Sequence, residues 1–317
     1  MISFENIERA YKVLKPVVHH TPLLSSRTLN ERSGNEIYFK AENFQRIGAF
    51  KFRGAYHKLS TLSDEQKRRG VIAHSSGNHA QGVALASKLF GVRAVVVMPE
   101  NSVKSKVEAT KGYGAEVVFC GTKPGEREAM TDDLLKKHGF TMVHPYMDEA
   151  LIAGQGTLVI EVREQLPQLD YLFVPVGGGG LISGCAIAAK ALFPGVRVIG
   201  VETEGANDAY QSFRAGKIVR LEKVETIADG MRTPEVGGIN FEIILKYVDD
   251  VVTISDAEIF PAMKFFYERM KIVVEPTGAV ATAAAMKNAM NITGKRICCV
   301  ISGGNVDAAT FREMLAA

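Results

Sequence analysis

The chain has 317 residues, of which 46% are hydrophobic and 23% charged, with a formal net charge of +3. This is the make-up of a globular enzyme-sized protein with one large or two ordinary domains. The charge is too small to imply a nucleic-acid or anionic-membrane partner, and Lys67-Arg68-Arg69 reads as a solvated helix face.

Along the chain, residues 1–9 carry acids and no apolar core, so no signal peptide is expected. β-Rich runs then alternate with helical patterns, with strands predicted at 37–41, 71–74, 94–98, 116–120, 172–176, 196–201, 251–254 and 296–301. Several are continuously apolar, as strands covered on both faces are. Ser63-Asp64-Glu65-Gln66 and Ser255-Asp256-Ala257-Glu258 fit the capping box that opens a helix. Gly139 and Gly294 follow basic helical stretches as C′ glycines do. The alternation predicts an α/β protein with parallel sheets and helices on both sides. The apolar stretch 181–201 contains Lys190, Pro194, Gly195 and Arg197, which excludes it as a membrane span. Cys120, Cys185, Cys298 and Cys299 have no zinc-ligand spacing, and free thiols of this kind point to a reducing, cytoplasmic setting.

Three turns follow predicted strands, where open α/β sheets place ligands. In Val176-Gly177-Gly178-Gly179-Gly180-Leu181, successive glycines and a helix start can turn backbone N–H groups onto a phosphate. The run is neither GxGxxG nor a P-loop, and a tight packing turn is the alternative. Ser75-Ser76-Gly77-Asn78-His79-Ala80-Gln81-Gly82 offers hydroxyls, an amide and free N–H groups to a carboxylate; a plain N-cap through Asn78 or Ser76 is the competing reading. Ser302-Gly303-Gly304-Asn305 fits a ligand contact or a simple turn equally. Finally, Lys51 lies between Phe50 and Phe52. Desolvation there lowers an amine's pKa and makes it a better nucleophile for a carbonyl, whereas a snorkelling lysine is the ordinary reading.

Taken together, 48–55, 75–81, 153–157, 177–181, 275–279 and 302–305 occur in one order, and the chain resembles the serine/threonine dehydratase and serine racemase family of pyridoxal 5′-phosphate (PLP) enzymes, fold type II. The resemblance implies two open twisted α/β domains with the cofactor between them: a large domain of residues 1–60 and 148–317, and a small mobile domain of 61–147. It implies that Lys51 holds PLP as a Schiff base and acts as base at Cα. Phe50, Asn78, Gly177 to Gly180, Leu181, Glu275 and Ser302 would contact the cofactor. The Asn78 amide would meet the ring's phenolic oxygen, and the Ser302 hydroxyl its pyridine nitrogen. A hydroxyl there leaves the ring a weaker electron sink and favours loss of a β-group. Ser75, Ser76, Gly77, Asn78 and His79 would receive the substrate carboxylate. Ser76 matches the second base of serine racemases, on the opposite face of Cα.

Glu202, Ala206 and Asp208 match the Mg²⁺ or Ca²⁺ site of the racemase-like branch; acids at a helix start are the bland alternative. Two departures and one match bear on the substrate. Ala49 stands where a serine is usual. Tyr146 replaces an asparagine of racemases and tilts the pocket toward dehydratase. Arg127 sits where an arginine approaches the substrate, which would select 3-hydroxyaspartate, or it is an exposed helix arginine.

The expected activity is α,β-elimination from L-serine or L-threonine to a 2-oxo acid and ammonia, with serine racemisation beside it. A 3-hydroxyaspartate dehydratase, a β-replacement enzyme of the cysteine synthase type and a binding protein without chemistry are the competing readings. A homodimer is implied by resemblance. Because the chain ends soon after Asn305, no C-terminal regulatory domain is expected.

Overall fold

The computed structural model describes residues 2–123 and 125–316, so Met1 of the segment 1–9 lies outside the described residues. The strands are β1 (Leu23–Ser25), β2 (Glu36–Ala41), β3 (Val71–His74), β4 (Ala94–Pro99), β5 (Glu116–Cys120), β6 (Thr141–Met142), β7 (Tyr171–Pro175), β8 (Arg197–Thr203), β9 (Asp250–Ile254) and β10 (Arg296–Ile301). Eight correspond to predicted runs, with ends shifted by up to two residues. β1 and β6 are three and two residues long, too short to show a periodic signal.

These strands form a six-stranded sheet in the order β1-β2-β10-β7-β8-β9 and a four-stranded sheet in the order β5-β4-β3-β6. All pairings are parallel except β1 with β2. Side-chain alternation divides the large sheet into two dry layers. Leu172, Val174, Cys298 and Val300 pack against helices Glu149–Gln165 and Gly180–Leu192. Phe39, Phe173, Ile297, Cys299 and Ile301 pack on the other side against helix Pro276–Met286. The adjacent Cys298 and Cys299 therefore enter opposite layers, and all four cysteines are free and buried. In the small sheet, Val71, Ala73 and Val96 pack against Ala80 and Val83 of helix Asn78–Phe90, while Ile72, Val95 and Val97 face Met130 and Leu134.

Both predicted capping boxes form. Gly139 ends helix Glu126–His138 with φ 65°. Gly294 differs from expectation: the preceding helix stops at Met286, and Gly294 serves a turn into β10. Among the described residues no helix is long and apolar enough to cross a membrane.

Beneath the site lies a buried group of four charges. Arg53 reaches Glu42 (2.7 Å) and Glu161 (2.7 Å), and Lys40 reaches Glu161 (2.6 Å). Two acids balance two bases, which makes full burial tolerable. The group fastens helix Lys51–Ser60 to β2 and to helix Glu149–Gln165. Gly154 makes that contact close, since a Cβ there would lie 2.8 Å from the Arg53 carbonyl oxygen.

Candidate active site

Three of the sequence motifs converge at the carboxyl ends of strands. The loop after β10 is laced to the turn before Lys51: Phe50 N–H donates to the Ser302 carbonyl (3.0 Å) and Gly304 N–H to the Gly48 carbonyl (2.9 Å). Glu275 joins them, its N–H donating to the Gly303 carbonyl (3.2 Å). Its side chain accepts from Asn78 Nδ2 (2.6 Å), and Asn305 donates to Asn78 Oδ1 (2.9 Å). The capping reading of Asn78 or Ser76 does not hold. Gly77 is the N-cap residue, no side chain caps this helix, and Asn78 instead spans the cleft.

Lys51 opens helix Lys51–Ser60, with its amine 5.2 Å from the centroid of the Phe50 ring. Nζ donates to the Pro145 carbonyl (2.8 Å). Burial with no acid beside it pulls the amine down to about 8. A lysine at that value is substantially neutral near pH 8 and can attack a carbonyl.

The glycine loop follows β7, and Gly179 (φ 91°) caps helix Gly180–Leu192, with Leu181 buried behind it. A Cβ at Gly178 would come within 2.4 Å of the Tyr146 ring, and one at Gly179 within 2.8 Å of Asn240 Cβ. Only glycine fits, and the helix start leaves unpaired N–H groups in the loop. Tyr146 thus faces the glycine loop. Its phenol is pushed up, chiefly by burial.

Ser302 Oγ and Glu275 Oε2 are buried with no hydrogen-bond partner among the described residues. Burial raises Glu275 to about 8, with Asp229 adding to it. Ser75 Oγ accepts from Gly77 N–H (3.3 Å). Ser76 makes no hydrogen bond among the described residues and is partly exposed. His79 is buried, with Nε2 on the Val143 carbonyl (2.8 Å); desolvation first, then Lys51, holds it neutral. His144 is pulled to about 4 by burial, then by His74 and Lys51.

Arg127 keeps about a third of its side chain exposed (35%). Its Nε is buried without a partner, Nη2 touches Glu128 (3.1 Å), and its charge reinforces the depression that burial imposes on the His74 imidazole.

Glu202, next to last in β8, accepts the N–H groups of Ala209 (3.1 Å) and Tyr210 (2.7 Å). Asp208 is buried with both carboxylate oxygens unpartnered, and Ala206 N–H donates to the Thr203 carbonyl (3.0 Å). Burial drives both acids up, Asp208 to about 7. Orphaned carboxylate oxygens in an all-oxygen set fit a hard divalent cation.

Sequence reasoning missed Pro145 and Asn240. Asn240, in helix Gly238–Tyr247, donates to the carbonyls of Gly178 (2.6 Å) and Tyr146 (3.1 Å). The only local signal was the pair Gly237-Gly238 ahead of a helix.

A desolvated amine, a glycine cradle at a helix start and an orphaned buried hydroxyl in one cleft fit PLP. The comparisons agree. The chain is 49% identical to the L-threo-3-hydroxyaspartate ammonia-lyase of Saccharomyces cerevisiae, over 99% of this chain and 96% of that protein. It is 44% identical to the serine racemase of Schizosaccharomyces pombe, over 99% and 97%. The structure of maize serine racemase superposes with a TM-score of 0.95 at 41% identity, covering 99% of this chain and 97% of the other. A family profile described as pyridoxal-phosphate dependent enzyme matches residues 14–303. With nearly the whole chain matched and a cleft that fits the cofactor, this protein belongs to the pyridoxal-phosphate dependent enzymes of fold type II.

Proposed function

We propose that the chain eliminates water from a small L-β-hydroxy-amino acid, giving a 2-oxo acid and ammonia, and that it also racemises serine. The observation that carries this reading is the meeting of Lys51, the glycine loop and the unpartnered Ser302 hydroxyl in one cleft. Bound PLP supplies an electron sink for the pair left when Cα loses its proton. Lys51, largely neutral above pH 8, takes that proton. The N–H groups at the start of helix Asn78–Phe90, with Ser75, hold the substrate carboxylate. Ser302, neutral and hydroxylic, offers the cofactor nitrogen a hydrogen bond without a charge. Phe50, beside the Lys51 amine, and Leu181, behind the glycine loop, would bound the cofactor, Asn78 would orient its ring, and Glu275 holds Asn78. The β-hydroxyl leaves as water; the enamine product tautomerises and one water hydrolyses it, which balances as amino acid to 2-oxo acid plus ammonia. Ser76, without a hydrogen bond among the described residues and partly exposed, would deliver or remove a proton on the other face.

A second reading, 3-hydroxyaspartate as preferred substrate, is favoured by Arg127, whose Nε has no partner among the described residues and could meet a second carboxylate while Nη2 stays on Glu128. The relatives named above divide between these two activities. Glu202, Asp208 and the Ala206 carbonyl are proposed to bind Mg²⁺ or Ca²⁺. Residues 61–147 are proposed to close over the substrate as a unit. Supporting this, Lys106 of helix Lys104–Gly112 pairs with Asp229 of the large unit across the cleft. A homodimer is proposed by the same resemblance, with sedimentation as its test.

The deciding experiment gives the PLP-loaded protein L-serine, D-serine, L-threonine and L-threo-3-hydroxyaspartate in parallel. It measures the 2-oxo acid formed and the enantiomer of recovered amino acid. Oxo acid supports elimination, and D-serine from L-serine supports the role of Ser76. Neither product, with the cofactor's visible absorbance intact, would make β-replacement the better reading.

A further inference from the structure

Asn240 lies outside every motif, is wholly buried, and yet touches two sides of the site. Both neighbours of its Nδ2 are carbonyl oxygens, Gly178 at 2.6 Å and Tyr146 at 3.1 Å, so the amide must present its donors there. Its Oδ1 accepts from the Ser183 hydroxyl at 3.4 Å, which fixes the same orientation. Gly237 N–H is a second donor to the Gly178 carbonyl, at 3.2 Å.

This arrangement has a geometric effect. The Gly178 carbonyl and the Gly179 N–H belong to one planar trans peptide, so they point in opposite directions. Pinning the carbonyl onto Asn240 turns the Gly179 N–H the other way. The N–H groups of Gly178 and Gly179 donate to no acceptor among the described residues. A Cβ at Gly179 would collide with Asn240 Cβ at 2.8 Å and Val236 Cγ2 at 2.9 Å, so the loop rests directly on this residue.

We infer that Asn240 is a positioning residue: it orients the glycine-loop peptide whose N–H receives the cofactor's phosphate, and ties that loop to the Pro145–Tyr146 segment that accepts from Lys51. The inference rests on the reading that Gly177 to Gly180 hold the phosphate. It concerns phosphate recognition specifically, because Asn240 touches none of Lys51, Asn78 or Ser302.

The test compares two probes, PLP and pyridoxal, which differ only in the phosphate. Apoprotein of the unchanged chain, Asn240→Ala and Asn240→Asp is titrated with each, read by visible absorbance, and apoprotein melting is recorded. Asn240→Ala removes both donors and should weaken PLP about tenfold while pyridoxal changes less than about twofold. Asn240→Asp keeps the volume but sets a carboxylate against two carbonyls, so its loss for PLP should be at least as large. It decides the matter if the alanine variant fails to fold. A PLP-to-pyridoxal affinity ratio unchanged in both variants, or equal weakening of both probes, would overturn the inference. If the unchanged protein binds both probes alike, the phosphate-loop reading fails instead, a separate and visible result.

Discussion

The Lys51 amine donates to the Pro145 carbonyl at 2.8 Å, joining residues 94 positions apart. The bond reaches the amine across the cleft but brings no negative charge, so burial is left to dominate, and the amine sits at about 8 rather than 10.5. The sign of the pH effect follows. Since the folded value lies below the unfolded one, protonated Lys51 weighs against the fold below pH 8. That penalty fades as pH rises toward 10.5, where both states are neutral.

Lys51→Met should therefore abolish turnover and covalent cofactor retention yet stabilise the cofactor-free protein. The gain at pH 7 should be at most about 3 kcal/mol, and less where water reaches the amine. Denaturant unfolding at pH 7 and pH 9.5 checks this; an equal gain at both would show that packing rather than charge is responsible.

Ser76 makes no hydrogen bond among the described residues, so its removal leaves no orphaned partner. Ser76→Ala should spare 2-oxo acid formation from L-substrates and remove D-serine formation. Chiral analysis of recovered serine, alongside the oxo-acid rate, separates the two. Parallel loss of both would sink the two-base assignment.

Arg127→Leu should lower kcat/KM for L-threo-3-hydroxyaspartate about a hundredfold, as expected for a lost charge-assisted pair of ~2–3 kcal/mol. L-Serine, lacking the second carboxylate, should be little affected. If both substrates fall together, Arg127 supports the fold of the cleft and not its selectivity.

Asp208 gives the second pH prediction. Burial raises it to about 7 from an ordinary value of 3.8. A raised carboxyl favours the fold at low pH, and that contribution disappears as pH climbs from about 4 through 7. A cation binds the ionised form and restores it. Mg²⁺ or Ca²⁺ should then raise the Tm of chelated protein more at pH 8 than at pH 5.5, and Asp208→Asn should remove the difference. Identical melting with chelator and with either cation, with metal content verified as nil, would dispose of the site.

The site was legible in the sequence where function is concentrated in contiguous residues. Lys51 between two phenylalanines, the four glycines after a strand and Ser302 beside Gly303 are each ambiguous alone, and only their joint occurrence, through the family resemblance, assigned them to one site. What escaped depends on long separations. Asn240 meets Gly178 and Tyr146 from 62 and 94 positions away. The buried charges Lys40 and Glu42 carry no local signal, because only folding brings Arg53 and Glu161 beside them. Gly294 has the positive φ (67°) of a C′ glycine, but its helix has already stopped at Met286, so the residues between them form a loop. β1 owes its place to pairing with β2, not to any pattern of its own.

The position of β10 bears on how the chain folds. This last strand lies between β2 and β7, pairing Ile297 with Ile37 on one side and Tyr171 on the other. The large sheet therefore stays split into two separate pieces until residue 301 is available, whereas all four strands of the small sheet lie between residues 71 and 142, and helix Lys51–Ser60, which packs on it, comes earlier still. During synthesis the small sheet can assemble early, while β2 and β7 wait with open edges for the final strand. Closure of this gap by distant pairing should be the slow event in folding.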